Sequence, residues 1–188
     1  IANLDHVSFT LTVADTRPPT VSPGDPVALL LPEWSVSELP CQARDVKVTV
    51  TVEIPRSTLS DTELALLDSE TSVSVRLRDV VCSAQPHLQA DSVTMKIAVE
   101  GMPRDALRSV KVGRNTAVTL AHPDATPHSA RIGAIETNLL LDTSGHALPE
   151  AFRAALMSRL REGMKDQQVS RAWVEIRRTT LFARLFGN

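Results

Sequence analysis

The chain has 188 residues, of which 43% are hydrophobic and 22% are charged, and its formal net charge is −2. This length and balance indicate one folded domain, or one domain with an appendage, and exclude wholesale disorder, collagen and coiled-coil arrays. The longest uninterrupted apolar run, Val27 to Leu31, is far shorter than the roughly 20 residues of a membrane-spanning helix.

Apolar and polar residues alternate with a period of two through most of residues 4–142, which predicts strands. In DVKVTVTVEI, at 45–54, five apolar side chains fall on one face and polar side chains fall on the other. A sheet with one wet face is typically antiparallel. The same alternation predicts further strands at 7–13, 71–81 and 93–99, and weaker ones at 27–31, 108–113, 116–121 and 130–141, with a bulge at Gly133.

Turn signals separate these strands. Residues 17–26 and 121–128 are rich in proline and predict irregular loops. Ser60 and Glu63 have the spacing of a capping box, which predicts a short helix over 61–68. Many short strands separated by such signals favour a mainly β fold, and we expect an antiparallel β-sandwich domain, which could be jelly-roll-like, over 1–147.

Residues 148–188 differ in character and predict a C-terminal helix-rich basic module, packed on the β domain or projecting from it. An apolar side chain recurs at every fourth position in 149–165, at Phe152, Leu156, Leu160 and Met164. This spacing predicts an amphipathic helix. Residues 171–178 alternate like a final strand, and 179–188 have the spacing of a last short helix.

Charge is unevenly distributed along the chain. Residues 151–188 hold eight basic and three acidic residues, a net charge of +5, whereas 1–150 hold twelve basic and nineteen acidic residues, a net charge of −7. Such a basic module can bind nucleic acid, lipid headgroups or the acidic face of another copy. The alternative is a solvated helix face that pairs with the chain's own carboxylates. The predicted partner-binding residues are Arg153, Arg159, Arg161, Lys165, Arg171, Arg177, Arg178 and Arg184.

The last ten residues carry four large apolar side chains, Leu181, Phe182, Leu185 and Phe186. Ten residues are too few to hold a helix alone in water, so something must order this tail by packing against it. The tail could dock on its own chain, insert into a neighbouring copy or make a weak contact with a membrane surface. We expect it to cross to a neighbouring subunit.

Catalytic and metal-binding patterns are weak. The sequence has no G-x-S-x-G, P-loop, G-x-G-x-x-G or H-E-x-x-H motif. His122, Asp124 and His128 share one loop, and Asp142 and His146 share the next connection, but a zinc site needs three or four rigidly held ligands. We therefore expect solvent-exposed loop histidines, no metal and no cofactor.

The two cysteines allow two interpretations. Cys41 precedes the predicted strand at 45–54, and Cys82 follows the one at 71–81. If those strands pair antiparallel, both thiols lie toward one end of the ladder and a disulfide can form. The alternative is two free, buried thiols, which a reducing compartment favours.

These features favour a non-catalytic structural or assembly protein, a coat-, matrix- or scaffold-like subunit of a homo-oligomer or larger assembly. Its basic module would dock on another subunit or on an anionic partner such as nucleic acid. The main alternative is a secreted or periplasmic β-sandwich binding domain with a Cys41–Cys82 disulfide, and an enzyme of unknown class comes third. The compartment is undetermined, with a slight preference for an intracellular or virion-associated protein.

Overall fold

The computed structural model describes residues 7–31, 36–100, 102–143, 148–161 and 173–176. The mainly β fold expected from the sequence is confirmed. The described strands are β1 (Ser8–Asp15), β2 (Pro26–Leu31), β3 (Val36–Pro55), β4 (Val73–Leu77), β5 (Val80–Leu88), β6 (Ser92–Val99), β7 (Asn115–Leu120), β8 (His128–Asp142) and β9 (Trp173–Ile176). The described α-helices are α1 (Asp61–Ser69), α2 (Arg104–Arg108) and α3 (Glu150–Arg161), and a 3-10 turn spans Arg56–Thr58.

The described strands form one antiparallel sheet in the order β1-β8-β7-β4-β5-β6-β3-β2-β9. Strand β8 also pairs with β3, so β8, β7, β4, β5, β6 and β3 form a closed cycle of pairings. We call these six strands the six-stranded ring. The two-layer sandwich and its jelly-roll variant stay predictions, because the described strands share a single sheet.

The chain divides into two compact units. The first takes its described residues from 1–10, 21–46 and 139–188, and the second takes them from 11–20 and 47–138. The domain boundary predicted after residue 147 stays a prediction. Helix α3 and strand β9 belong to the first unit together with β2 and the first half of β3.

The core of the second unit follows from the alternation seen in the sequence. Strand β3 pairs with β6 in unbroken register from Val48–Val99 to Pro55–Ser92. Strand β5 continues the sheet from β6. In β3 the polar side chains of Lys47 and Glu53 are exposed. The buried side chains on these three strands include Val48, Val50, Val52, Ile54, Ala84, Val93, Met95 and Ile97.

The strand predicted at 71–81 is confirmed over Val73–Leu77 and wrong beyond it, because the chain reverses after Leu77. Strands β4 and β5 form a hairpin that closes at the pair Leu77–Val80. Arg78, in the two-residue turn, has a φ of 56°. Glycine and asparagine usually occupy that backbone region, so an arginine there leaves no turn signal in the sequence.

The weak strand predicted at 108–113 is also wrong. Residues up to Arg108 belong to α2, and the N–H of Val110 donates to the carbonyl of Leu107. Gly113 then adopts a φ of +84°, which turns the chain into β7. The apolar alternation of this segment therefore comes from a helix end followed by a turn.

In β8 the buried positions change phase where the sequence predicts a bulge. They are the even-numbered residues up to Ile132 and odd-numbered residues from Ile135 to Leu141. Gly133 lies at the change, and a Cβ there would be 3.8 Å from the carbonyl oxygen of Thr51 on β3. That distance is an ordinary contact, so space alone does not require the glycine.

Candidate functional site

Most of the predicted partner-binding side chains lie outside the described residues. Arg153 is exposed on α3. Arg159 and Arg161 also lie in α3, but their side chains are outside the described part of the structure. Outside the described part of the chain lie Lys165, Arg171, Arg177, Arg178, Arg184 and the apolar tail of Leu181, Phe182, Leu185 and Phe186. The described elements of the C-terminal segment are α3 and β9, and they define the candidate docking site.

Helix α3 is anchored in the first unit by its buried face. Phe152 is fully buried, and Leu156 is 3% exposed. The rings of Phe152 and Phe9 meet edge to face, with centroids 6.1 Å apart and planes at 61°. Met157, on the other side of the helix, is 36% exposed. The apolar stripe predicted for this helix is thus buried at its first two positions.

Strand β9 lies at an edge of the sheet. It pairs antiparallel with β2, from Val27–Ile176 to Leu30–Trp173. It is the last strand in the sheet order, and β2 is its one neighbour among the described strands. In sequence it is flanked by Arg171 on one side and by Arg177 and Arg178 on the other. The strand that leads into the apolar tail is therefore an edge strand between basic residues.

A buried carboxylate lies at the end of β8 in the first unit. The side chain of Asp142 is 8% exposed, and its Oδ2 is 3.3 Å from Nη1 of the largely exposed Arg44. Burial, and secondly the charge of Asp142, raise the pKa of Cys41 to about 12. Cys41 is therefore a neutral thiol, which is a poor nucleophile and a poor metal ligand.

Cys41 and Cys82 are both buried, free thiols. The strand pairing assumed for a disulfide is wrong. Strand β3 pairs with β2, β6 and β8, whereas β4 pairs with β5 and β7. Cys82 belongs to β5, opposite Val75, and burial raises the pKa of its thiol.

A buried pair of titratable side chains joins α1 to the start of β8 in the second unit. Nε2 of His128 lies 2.7 Å from Oε1 of Glu63, and the two side chains are 6% and 7% exposed. The expectation of an exposed loop histidine is wrong for His128. This residue begins β8 opposite Val118 of β7, and the strand turns its side chain inward.

Ser60 binds the second oxygen of the same carboxylate. Its N–H and its hydroxyl donate to Oε2 of Glu63 at 2.8 and 3.0 Å. The N–H of Glu63 donates back to Oγ of Ser60, so the predicted capping box is confirmed. Burial raises the pKa of Glu63, but the hydrogen bonds from His128 and Ser60 outweigh it and hold the pKa below its usual value.

The arrangement of these three residues favours a structural role. In a nucleophilic triad the histidine lies between the hydroxyl and the carboxylate. Here the carboxylate of Glu63 lies between Ser60 and His128, so the hydroxyl donates to the acid and not to the histidine. The sequence signalled half of this site, because the capping box identified Glu63, but nothing local marked His128 as its partner.

A buried hydroxyl on the neighbouring strand predicts a stabilising substitution. Oγ1 of Thr116, on β7, is buried without a hydrogen-bond partner among the described residues. Since an unsatisfied buried polar group costs free energy, Thr116→Val should raise the free energy of unfolding by about 1 kcal/mol in a denaturant titration. Thr119→Val, on the half-exposed side of the same strand, is the matched control and should change it little. A destabilised Thr116→Val variant would contradict the prediction and indicate a bound water.

Two further kinds of functional feature are a metal site and a membrane-spanning helix. In the described part of the chain, no three His, Cys, Asp or Glu side chains come close enough to hold a metal ion. His146 lies outside the described residues. No described helix has the length and apolar character needed to cross a membrane. Comparison with known proteins finds no matching family model, curated protein or solved structure.

Proposed function

We propose that this protein is a non-catalytic assembly subunit of the coat, matrix or scaffold kind. Its basic C-terminal segment docks on another subunit, or on an anionic partner such as nucleic acid. The observation that carries the proposal is the position of β9 at the end of the sheet order, directly before the arginines and the apolar tail. The β-sandwich body expected from the sequence belongs to the same proposal.

An edge strand is a natural place for a subunit contact. The side of β9 away from β2 pairs with no described strand. Its backbone N–H and C=O groups can pair with a strand from another chain. Many proteins extend a sheet across a subunit interface in this way. Arginine side chains on both flanks favour a partner that brings carboxylates or phosphates, because the guanidinium group binds both in a bidentate manner.

The apolar tail supplies the energy for a stable contact. Burying each of its four large side chains would contribute about 1.5–3 kcal/mol relative to leaving it exposed. The anchoring of α3 through Phe152 and the pairing of β9 with β2 hold the chain to the first unit before the tail begins. The tail then has a fixed starting point from which to reach a neighbour.

The buried polar groups support a non-catalytic role. The two cysteines are buried thiols with raised pKa values, so neither is an activated nucleophile. The Glu63 carboxylate is already used by a helix cap and by His128. These groups stabilise the fold and leave no described carboxylate–histidine–hydroxyl relay for acyl transfer.

Deleting residues 179–188 should lower the oligomer mass and leave the second unit folded. Four apolar anchors are lost, whereas the described core contacts are retained. Light scattering coupled to size exclusion measures the mass, and thermal unfolding of the same sample measures stability. Serine at all four apolar tail positions should have the same effect with the chain length unchanged. Ala183→Ser, at a small residue of the same tail, is the matched control and should keep the mass.

Two outcomes would count against this proposal. Unchanged mass with a lowered melting temperature would mean that the tail docks on its own chain. An untruncated chain that is monomeric at every concentration and passes through a heparin column at low salt would exclude both another subunit and a polyanion as partners. If the chain is a monomer and is retained on heparin, the partner of the basic segment is an anionic molecule and not another subunit.

A further inference from the structure

We propose that the second unit carries a head-to-tail interface, in which a basic face on β4, β7 and β8 binds the acidic end of a second copy around α1. The inference rests on the proposed function, since it takes the protein to be an assembly subunit, and it names the partner at a second surface. Neither half of this interface belongs to the C-terminal segment.

The basic face lies on the outside of three neighbouring strands. Arg76 of β4 is opposite Thr119 of β7, and Arg131 of β8 is opposite Asn115 of β7. The N–H of Arg78 donates to the carbonyl of Ala117, which holds the β4 turn against β7. Strand β7 therefore runs between arginines and presents only neutral side chains outward. We call Arg76, Arg78, Arg114 and Arg131, all exposed, the basic face.

The acidic end is formed by α1 and by two turns at the same end of the six-stranded ring. Helix α1 and its C-cap contribute Asp61, Asp68 and Glu70, the β5–β6 turn contributes Asp91, and the loop before β8 contributes Asp124. All five side chains are exposed. The one arginine in these segments is Arg56, whose guanidinium donates to the carbonyl of Gln89. None of the five acids makes a described ion pair.

The strand directions separate these charges. Both β4 and β8 begin at the α1 end, because α1 leads directly into β4 and His128, the first residue of β8, contacts Glu63 of α1. Arg78 follows the last residue of β4 and Arg114 precedes the first residue of β7, so both lie at the opposite end. The smallest separation along the strands is that of Arg76 and Arg131, each three residues or about 10 Å beyond the first residue of its strand. That exceeds the screening length of about 8 Å at physiological ionic strength.

A second copy is the partner that these charges fit best. The exposed opposite charges within these regions are Asp79, beside Arg78 in the β4–β5 turn, and Arg56 at the acidic end. The basic face therefore keeps an excess of positive charge and the acidic end an excess of negative charge, and the distance between them limits their neutralisation within one unit. A second copy that lies against the outer surface of β4, β7 and β8, shifted along the strand direction, brings its acidic end to the basic face of the first. Such a contact is heterologous, so each copy keeps one free surface of each kind and the assembly can grow into rings or filaments. Electrostatic complementarity of this kind sets specificity and orientation.

Charge reversal tests the interface by complementation. One variant carries Arg76→Glu and Arg131→Glu, so that its face becomes acidic; the other carries Asp68→Lys and Glu70→Lys, so that its end becomes basic. Sedimentation at low salt should show that each variant alone self-associates at least about tenfold more weakly than the parent. An equimolar mixture should regain association, because each variant then matches the reversed surface of the other. Lys96→Glu, on the outer face of β6, is the matched control for Arg76→Glu and should associate like the parent.

The outcomes separate this inference from the proposed function. An oligomer whose mass falls on deletion of 179–188 but is unaffected by both charge reversals and by salt would overturn the head-to-tail interface and leave the C-terminal docking intact. A parent chain that is monomeric at low salt would overturn the inference as well. If that monomer bound single-stranded DNA and the Arg76→Glu, Arg131→Glu variant did not, the basic face would be a nucleic-acid surface instead. Restored association in the mixture supports the interface.

Discussion

Replacing Glu63 with alanine should lower the free energy of unfolding by about 2–5 kcal/mol, the sum expected for an unsatisfied buried polar group and a weakened helix cap. The change leaves His128 buried without its partner and removes half of the capping box at the start of α1. Denaturant unfolding measures the loss. Glu53→Ala, at an exposed position of β3, is the matched control and should change stability little.

A double-mutant cycle with His128→Ala shows whether the loss belongs to the pair. If the loss of stability comes from the Glu63–His128 hydrogen bond, the loss in the double variant should be clearly smaller than the sum of the losses in the two single variants. Additive losses would mean that the two side chains contribute independently and would contradict the assignment. His128→Ala alone leaves the Ser60 contacts in place, so it should be milder than Glu63→Ala.

The same carboxylate should make stability depend on pH in the acid range. Its pKa in the folded chain is lowered, whereas in the unfolded chain it is about 4.3. A group with a lowered folded pKa stabilises the fold fully above its unfolded pKa and loses that contribution as the pH falls through the folded value. The parent should therefore lose stability more steeply than Glu63→Ala when the pH falls below about 4.3.

Replacing Leu156 with alanine should lower the free energy of unfolding by about 2–5 kcal/mol, because truncating a buried leucine removes apolar contact and leaves a cavity. Leu156 is 3% exposed on the face of α3 that also buries Phe152. Met157→Ala, on the exposed side of the same helix, is the matched control. An unchanged denaturant midpoint for Leu156→Ala would mean that α3 is not packed on the first unit.

Local patterns in the sequence predicted much of the fold where the relevant neighbours are close along the chain. The alternation at 45–54 assigned Val50 and Lys47 to opposite sides of β3, because successive side chains of a strand point to opposite faces. The spacing of Ser60 and Glu63 predicted the start of α1. Burial of Phe152 and Leu156 followed from helical periodicity.

Pairings between distant segments could not be predicted in this way. The alternation of a strand says which side chains share a face, but it does not say which strand lies alongside. Strand β3 pairs with β6 and not with β4, and this removed the geometry assumed for a disulfide. The β4–β5 turn was missed because Arg78 adopts a backbone conformation that the sequence does not signal.

The two candidate surfaces illustrate the same division. The basic C-terminus could be identified from the sequence because its charges are neighbours along the chain. The amino-acid composition identified the basic segment, the period-two alternation identified the inward faces of the strands, and the spacing of Ser60 and Glu63 identified the cap of α1. Only the tertiary structure placed Arg76 and Arg131 on the two strands that flank β7. Only the tertiary structure, too, placed His128 against Glu63, which is 65 residues away in the chain. Strand order and chain reversal bring such residues together, and neither leaves a periodic trace in the sequence.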